Sequence, residues 1–218
     1  MVRLRESEQR MSWTASERYE MDPAPGGLAF VQDLINTIPA GRPRQPDLLG
    51  NVEDARTWLD QALANWSRET RQPAPEIALA AEDLQALRDF RDDLRGHLHR
   101  PSPGTPPRPD GPAASLMAVP ASLRLDEHGR IHADPRGTGW RRVASLALIE
   151  AYTAQCTDTL RRLKTCRNIR CSVAFYDRSR NNNGVWHDVR ICGNAVNLRN
   201  YRARKRADAD HGLRSAHP

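Results

Sequence analysis

Acidic residues are almost absent from one stretch of this 218-residue chain. Between Arg161 and Arg206 only Asp177 and Asp188 oppose thirteen lysines and arginines, a net of +11, while the remainder, with 20 basic and 25 acidic residues, sums to −5. So lopsided a field excludes indifference to polyanions and makes nucleic acid the first candidate partner. Long apolar runs are absent too. Nothing approaches the roughly 18 consecutive apolar residues of a membrane span, and MVRLRESEQRMSW has no signal-peptide core, so a cytoplasmic protein with no membrane partner is expected. Cysteine is scarce, four in all, and three fall within 27 residues, which in a reducing compartment favours metal ligation over disulfides. No nucleophile elbow, phosphate loop or His-Glu metal helix occurs, so no catalytic residue and no enzyme is expected.

What remains is a globular composition, 39% hydrophobic, diluted by 16 prolines and 13 glycines. Residues 1–26 carry mixed charge and end in Asp22-Pro-Ala-Pro-Gly-Gly, which predicts a flexible extension outside the core. A helical domain is expected over 27–160. Its first helix is amphipathic, with Leu28, Val31, Leu34, Ile35 and Ile38 inward. A second, capped by Asn51 or Asp54, repeats Trp58, Leu59, Ala62, Leu63 and Trp66. The third runs from about Pro75 to Leu98, with Ile77, Leu84, Leu87, Phe90, Leu94 and Leu98 inward. Six prolines make 101–112 a loop. SLRLDEHGRIHAD reads as a β-hairpin, and a fourth helix follows from Trp140 through Val143, Leu146, Ile149, Tyr152 and Leu160, burying Cys156. His97, His99, His128 and His132 form no ligand spacing and read as surface residues.

The basic stretch holds two matched pairs, Cys166-x4-Cys171 and His187-x4-Cys192, separated by fifteen residues. Each pair brings two soft or borderline donors onto one turn, and the intervening SVAFYD and RNNNG supply a strand-like arm and a turn that return the chain to the metal. Together they predict a closed tetrahedral Zn2+ site. Three thiolates and one imidazole around Zn2+ leave a net charge of −1, which Arg167, Arg170 and Arg190 are placed to offset. Gly193 is expected to take positive φ and turn amides toward the Cys192 thiolate. This module has little core of its own and should depend on its metal, whereas Leu28 to Cys156 carries its own apolar stripes. Beyond it Arg199, Arg202, Lys205 and Arg206 recur at helical steps, a cationic stripe suited to phosphates with Arg204 flanking. A flexible tail is expected over 207–218.

The string from Cys166 to Arg206, with FYDRSRNNNGVWH and Cys192-Gly193-Asn194-Ala195, resembles the CGNR zinc finger. It departs at His187, where the pattern has cysteine, and at Ala195, where it has arginine. The resemblance implies that Asp177, Ser179, Arg180 and Asn194 fix turns or make contacts. LAFVQDLINT, DLLGNVEDARTWL and LQALRDFRDDL are similar to the helical ABATE domain that precedes such fingers in proteins described as stress-induced transcription regulators. The expected fold is therefore mostly α with a small β-hairpin, a helical domain followed by a treble-clef-like or ribbon-like zinc module over 161–206. The expected function is zinc-dependent DNA binding in transcription regulation, with Arg180, Asn194, Arg199, Arg202, Arg204, Lys205 and Arg206 on nucleic acid. The helical domain is left with dimerisation or sensing of a small-molecule effector. The alternative is a zinc-scaffolded adaptor that binds an acidic protein.

Overall fold

The computed structural model of the protein describes residues 12–41, 43–98, 118–168 and 170–214. The Pro-rich segment 101–112, His99 and residues 1–11 lie outside them. The described chain runs α1 (Thr14–Glu17), α2 (Leu28–Ile35), α3 (Val52–Thr70), α4 (Asp83–Leu98), β1 (Ala121–Leu125), β2 (Ile131–Pro135) and α5 (Gly139–Cys156). A 3₁₀ turn at Leu160–Arg162 leads to β3 (Leu163–Thr165) and β4 (Ala174–Tyr176), and a π turn at Val189–Gly193 leads to α6 (Asn194–Arg214). Helices thus dominate, with two antiparallel hairpins, β1–β2 and β3–β4. The first hairpin lies where the alternation of Leu123, Leu125 and Ile131 placed it, with Gly129 at φ +74° in its turn.

At the centre is α2, whose eight residues are all buried by α1, α3, α4 and α5. It is not the amphipathic helix expected, because its polar residues also face protein. Asp33 accepts from the Ser16 amide (2.8 Å) and the Trp58 indole (2.9 Å), and Gln32 accepts from the Ala24 amide (2.6 Å) and donates to the Asp22 carbonyl (3.2 Å). Buried polar groups are tolerable only when so partnered. These bonds draw in residues 12–26, whose charge and prolines predicted an extension outside the core. Trp13, Ala15, Tyr19 and Ala24 are buried there.

Asn51 is the cap of α3, its side chain accepting from Asp54 N at 2.8 Å, and Arg71 in the left-handed region ends the helix. The third predicted helix begins eight residues later than expected. From Pro73 to Ala80 the chain lies without helix, Leu79 plugs the core, and Arg56 holds the Leu79 carbonyl. Asp83 then starts α4 by accepting from Ala80 N (2.9 Å), and its other oxygen takes Trp140 N at the head of α5 (3.2 Å). Gly139 permits this approach: it has φ +52°, and a Cβ there would stand 2.3 Å from that carboxylate.

Along α5 the pattern of Val143, Leu146 and Ala147 faces inward, but the helix ends at Cys156, and Tyr152 and Cys156 are exposed. Cys156 is therefore not the core thiol expected. Among the described residues no helix is long and apolar enough to cross a membrane.

Candidate metal centre

After β3 the chain turns sharply. Cys166 leaves the strand with its amide on Val173 O (2.8 Å), and the Asn168 carbonyl accepts the amides of Cys171 (2.7 Å) and Ser172 (3.0 Å) before β4 begins. This turn carries the first pair of sulfurs. The second pair comes from the far side of the module: His187 sits just before the π turn, and Cys192 lies within it, immediately ahead of α6. A hairpin turn and a helix N-terminus supplying two ligands each is the treble-clef-like alternative; no third strand joins β3–β4 among the described residues.

The ligand atoms of Cys166, Cys171, His187 and Cys192 all lie within 4.8 Å of one another. A tetrahedron with Zn–S bonds of about 2.3 Å has edges of about 3.8 Å. Three thiolates and one imidazole at that spacing fit Zn2+, with His187 turned so that Nδ1 lies 3.3 Å from Cys171 Sγ. Cys156 stands apart from the cluster.

The electrostatics favour a thiolate at Cys166 alone. The Cys171 thiol hydrogen-bonds to Cys166 and, helped by the His187 ring and the amides of His187 and Asn168, holds the Cys166 thiol down at about 4 against its burial. Sharing that proton pushes Cys171 up, and burial pushes Cys192 up, so one charge is easily formed and a metal cation is needed for three. Besides the Cys171 thiol and the His187 ring, the donors reaching sulfur are amides, with Asn168 Nδ2 on Cys192 Sγ at 3.2 Å. Among the described residues no hydrogen bond from Arg167, Arg170 or Arg190 reaches a sulfur, so they do not offset the site by contact.

Gly193 departs from expectation. It does not take positive φ, and its amide goes to Asp188 O, not to a thiolate. It is glycine because a Cβ would press on the Trp186 ring at 3.2 Å and on Val189 at 3.3 Å. Asp188 also caps the π turn by accepting from Ile191 N (2.8 Å).

The loop from Asp177 to Gly184 contains the RNNNG sequence, and its shape comes from one carboxylate. Asp177 accepts from Ser179 N (2.9 Å), Gly184 N (2.7 Å) and Lys164 Nζ (2.6 Å), and Lys164 donates in addition to the carbonyls of Asn182 and Gly184. Burial alone would raise this carboxyl; the hydrogen bonds from Lys164 and Ser179 outweigh it and hold Asp177 well below the carboxylate range. Asp177 and Ser179 are thus turn-fixing, as the resemblance implied.

The module does not stand alone. Asn36, just past α2, pairs with Ala174 of β4 as a neighbouring strand would, accepting from its amide (2.8 Å) and donating to its carbonyl (3.0 Å). Tyr19, Ile38 and Ala40 pack in one buried cluster with Cys166, Cys171, Val173 and Cys192. Arg178 reaches back to Pro23 O at 2.7 Å. Sequence reasoning missed both Asn168 and Asn36; an asparagine between two ligand cysteines is a signal for the first, and no local pattern marks the second.

Among the residues assigned to nucleic acid, Arg180, Asn194, Arg202, Arg204, Lys205 and Arg206 are exposed. Arg199 is only partly so, its Nη2 donating to Asn168 Oδ1 at 2.8 Å. Backbone helix continues to Arg214 where a tail from 207 was expected.

Comparison with known proteins agrees with this geometry. Residues 162–205 match the family described as CGNR zinc finger, and residues 28–161 match ABATE, described as “Putative stress-induced transcription regulator”. A search of curated proteins finds no match. With 28–161 matched, more than half its length, the chain belongs to the ABATE family and carries a CGNR zinc finger as its C-terminal module.

Proposed function

We propose that this protein regulates transcription by binding DNA through its zinc module and α6, with no catalytic role. The observation that carries this reading is the exposure of Arg202, Arg204, Lys205 and Arg206 on a helix anchored at its root by Cys192. Such side chains neutralise phosphates and release counterions. Arg180 on the Asp177 loop and Asn194 at the head of α6 are the candidates for base edges. A four-ligand shell leaves zinc no position for a reactive water.

The test is the salt dependence of binding to duplex DNA. Replacing Arg202 and Lys205 by Ala should weaken specific and non-specific binding alike and flatten the log–log salt slope by about 0.9 for each phosphate no longer neutralised. Replacing Arg180 or Asn194 should instead lower the preference for a selected site more than the bulk affinity. An unchanged slope in the double variant, with full zinc content, would show the cationic helix to be a solvated face.

The adaptor reading has one observation in its favour. Val189, Ile191, Leu198 and Tyr201 are exposed beside the cations, and apolar anchors suit a protein partner better than a phosphate backbone. An acidic protein would bind with a weaker salt dependence than DNA.

For the helical domain, dimerisation has the clearer support. Leu123, Leu125 and Ile131 share one face of the first hairpin, 77%, 69% and 71% exposed, with the Leu125–Ile131 cross-strand pair at its turn end. Patches of this kind commonly mark association sites. Light scattering across a concentration series should show self-association that Leu125→Glu abolishes; a monomer at every concentration would remove this role. A small-molecule effector would find a cleft of about 220 Å³ between the ends of α4 and α5, bordered by His97, Gln155, Asp158 and Arg161.

A further inference from the structure

Asn168 lies between the two cysteines of the hairpin turn and is 5% exposed. Its side chain joins three parts of the module. Nδ2 donates to Cys192 Sγ at 3.2 Å, and Oδ1 accepts from Arg199 Nη2 of α6 at 2.8 Å and from Arg170 N at 3.3 Å. Its own carbonyl accepts the amides of Cys171 and Ser172, so the backbone that carries it is fixed by the turn.

A carboxamide has donors at one end and an acceptor at the other, and nothing in asparagine itself chooses between the two orientations. Reversed, it would set Oδ1 against a thiolate, two electron-rich atoms with no proton between them. A guanidinium and a backbone amide can only donate, so the partners on Oδ1 decide the matter, Arg199 being the charged and shorter of the two: with Arg199 in place, Oδ1 must face α6 and Nδ2 must face the sulfur. The ligand set carries a net charge of −1 around Zn2+, and an N–H donor draws charge off the sulfur it touches. Arg199 adds a full positive charge one side chain further out.

We propose, on the basis of the zinc site described above, that Asn168 is a positioning residue of the metal centre and that Arg199 orients it. Arg199 then serves metal retention, and the cations that meet phosphate begin at Arg202. The contacts close a ring from Cys192 through the π turn and the first two turns of α6 to Arg199, and back through Asn168 to the sulfur. The direction of α6 is thereby tied to the state of the zinc shell.

The deciding measurement is zinc release from the full-length, zinc-loaded protein to a chromogenic chelator, with Co2+-substituted protein as a spectroscopic readout of the thiolate shell. Arg199→Ala and Asn168→Asp should each speed release by about ten- to a hundred-fold, the range in which removing a group that supports a metal ligand acts. Both should shift the cobalt–thiolate absorption. Arg199→Lys, whose ammonium also only donates, should recover much of the loss and guards against a general failure of Arg199→Ala to fold. Release and cobalt spectra equal to wild type in Arg199→Ala would overturn the proposal. A separate arm titrates salt against a mixed-sequence DNA duplex, where Arg199→Ala should keep the wild-type slope while Arg202→Ala flattens it without touching release. Because release involves no nucleic acid, a protein that binds no DNA would defeat the functional reading and leave this result standing, and the converse holds equally.

Discussion

Stripping the metal with a chelator should unfold the zinc module and, in the same step, loosen residues 19–40 of the helical domain. Three sulfurs are buried against Tyr19, Ile38 and Ala40, and two hydrogen bonds join Asn36 to β4. Structural zinc contributes an apparent ~10–16 kcal/mol in small modules, far more than the two short strands and single turn here could replace. Without it nothing holds the three thiols together, and the apolar cluster loses three of its seven buried members. Hydrogen exchange should show complete loss of protection at 163–176 and at least a tenfold loss at 36–40, a local cost of about 1.4 kcal/mol or more. The Trp58 and Phe90 faces of α3 and α4 should stay protected, because both helices pack on α2 and α4 packs on α5 as well. Loss confined to 161–206 would show the docking to be passive, and global unfolding in one step would show a single cooperative unit.

Asp177→Ala should cost about 3–5 kcal/mol, because Lys164 is left buried and charged with carbonyls alone for company. The two side chains are 8% and 4% exposed, so water cannot take the missing partner's place. The same pair sets a pH dependence. The folded carboxyl titrates below its ordinary value of about 3.9, so the native state binds this proton less readily than the unfolded chain does. Its stabilisation is therefore complete above pH ~4 and is lost as pH falls through the lower native value. Metal ligation is itself weakened in acid, equally in both proteins, so the comparison is between wild type and Asp177→Asn. Urea midpoints of the two should differ most at neutral pH, begin to draw together below pH ~4 and converge only as pH falls through the native value. A constant difference across that range would dissociate the pair from acid sensitivity.

Much of the metal centre was legible because its information is local. Two ligand pairs at matched spacing need no knowledge of the rest of the fold, and Cys166, Cys171, His187 and Cys192 come together as spacing implied. The apolar periodicities of α3 and α5 and the alternation around Gly129 were equally local. What failed to show depended on distant partners. Gln32 and Asp33 look like the solvent face of an amphipathic helix until the chain at Ser16 and Ala24 lies over them, and the same contacts hid the burial of residues 12–26. Ile77 continued a helical pattern, yet it belongs to an extended segment because Leu79 and Asp83 fix that chain against α3 and α5. Arg199 kept the step of a phosphate stripe while pointing at an asparagine thirty-one residues earlier. Periodicity reports which residues share a face and says nothing of what that face meets.

The family boundary between residues 161 and 162 falls inside the 3₁₀ turn ahead of β3, yet the finger's sheet is completed by Asn36 of the other family's segment. A two-stranded sheet has two open edges, and here one is sealed by a carboxamide belonging to the helical domain. A fragment cut at that boundary would bare the Ala174 edge and the sulfurs' apolar cover together. The finger is therefore not a portable cassette: grafted behind another domain, it would need that domain to offer an asparagine and a tyrosine at the same places, or it would pair its open edge with a neighbour.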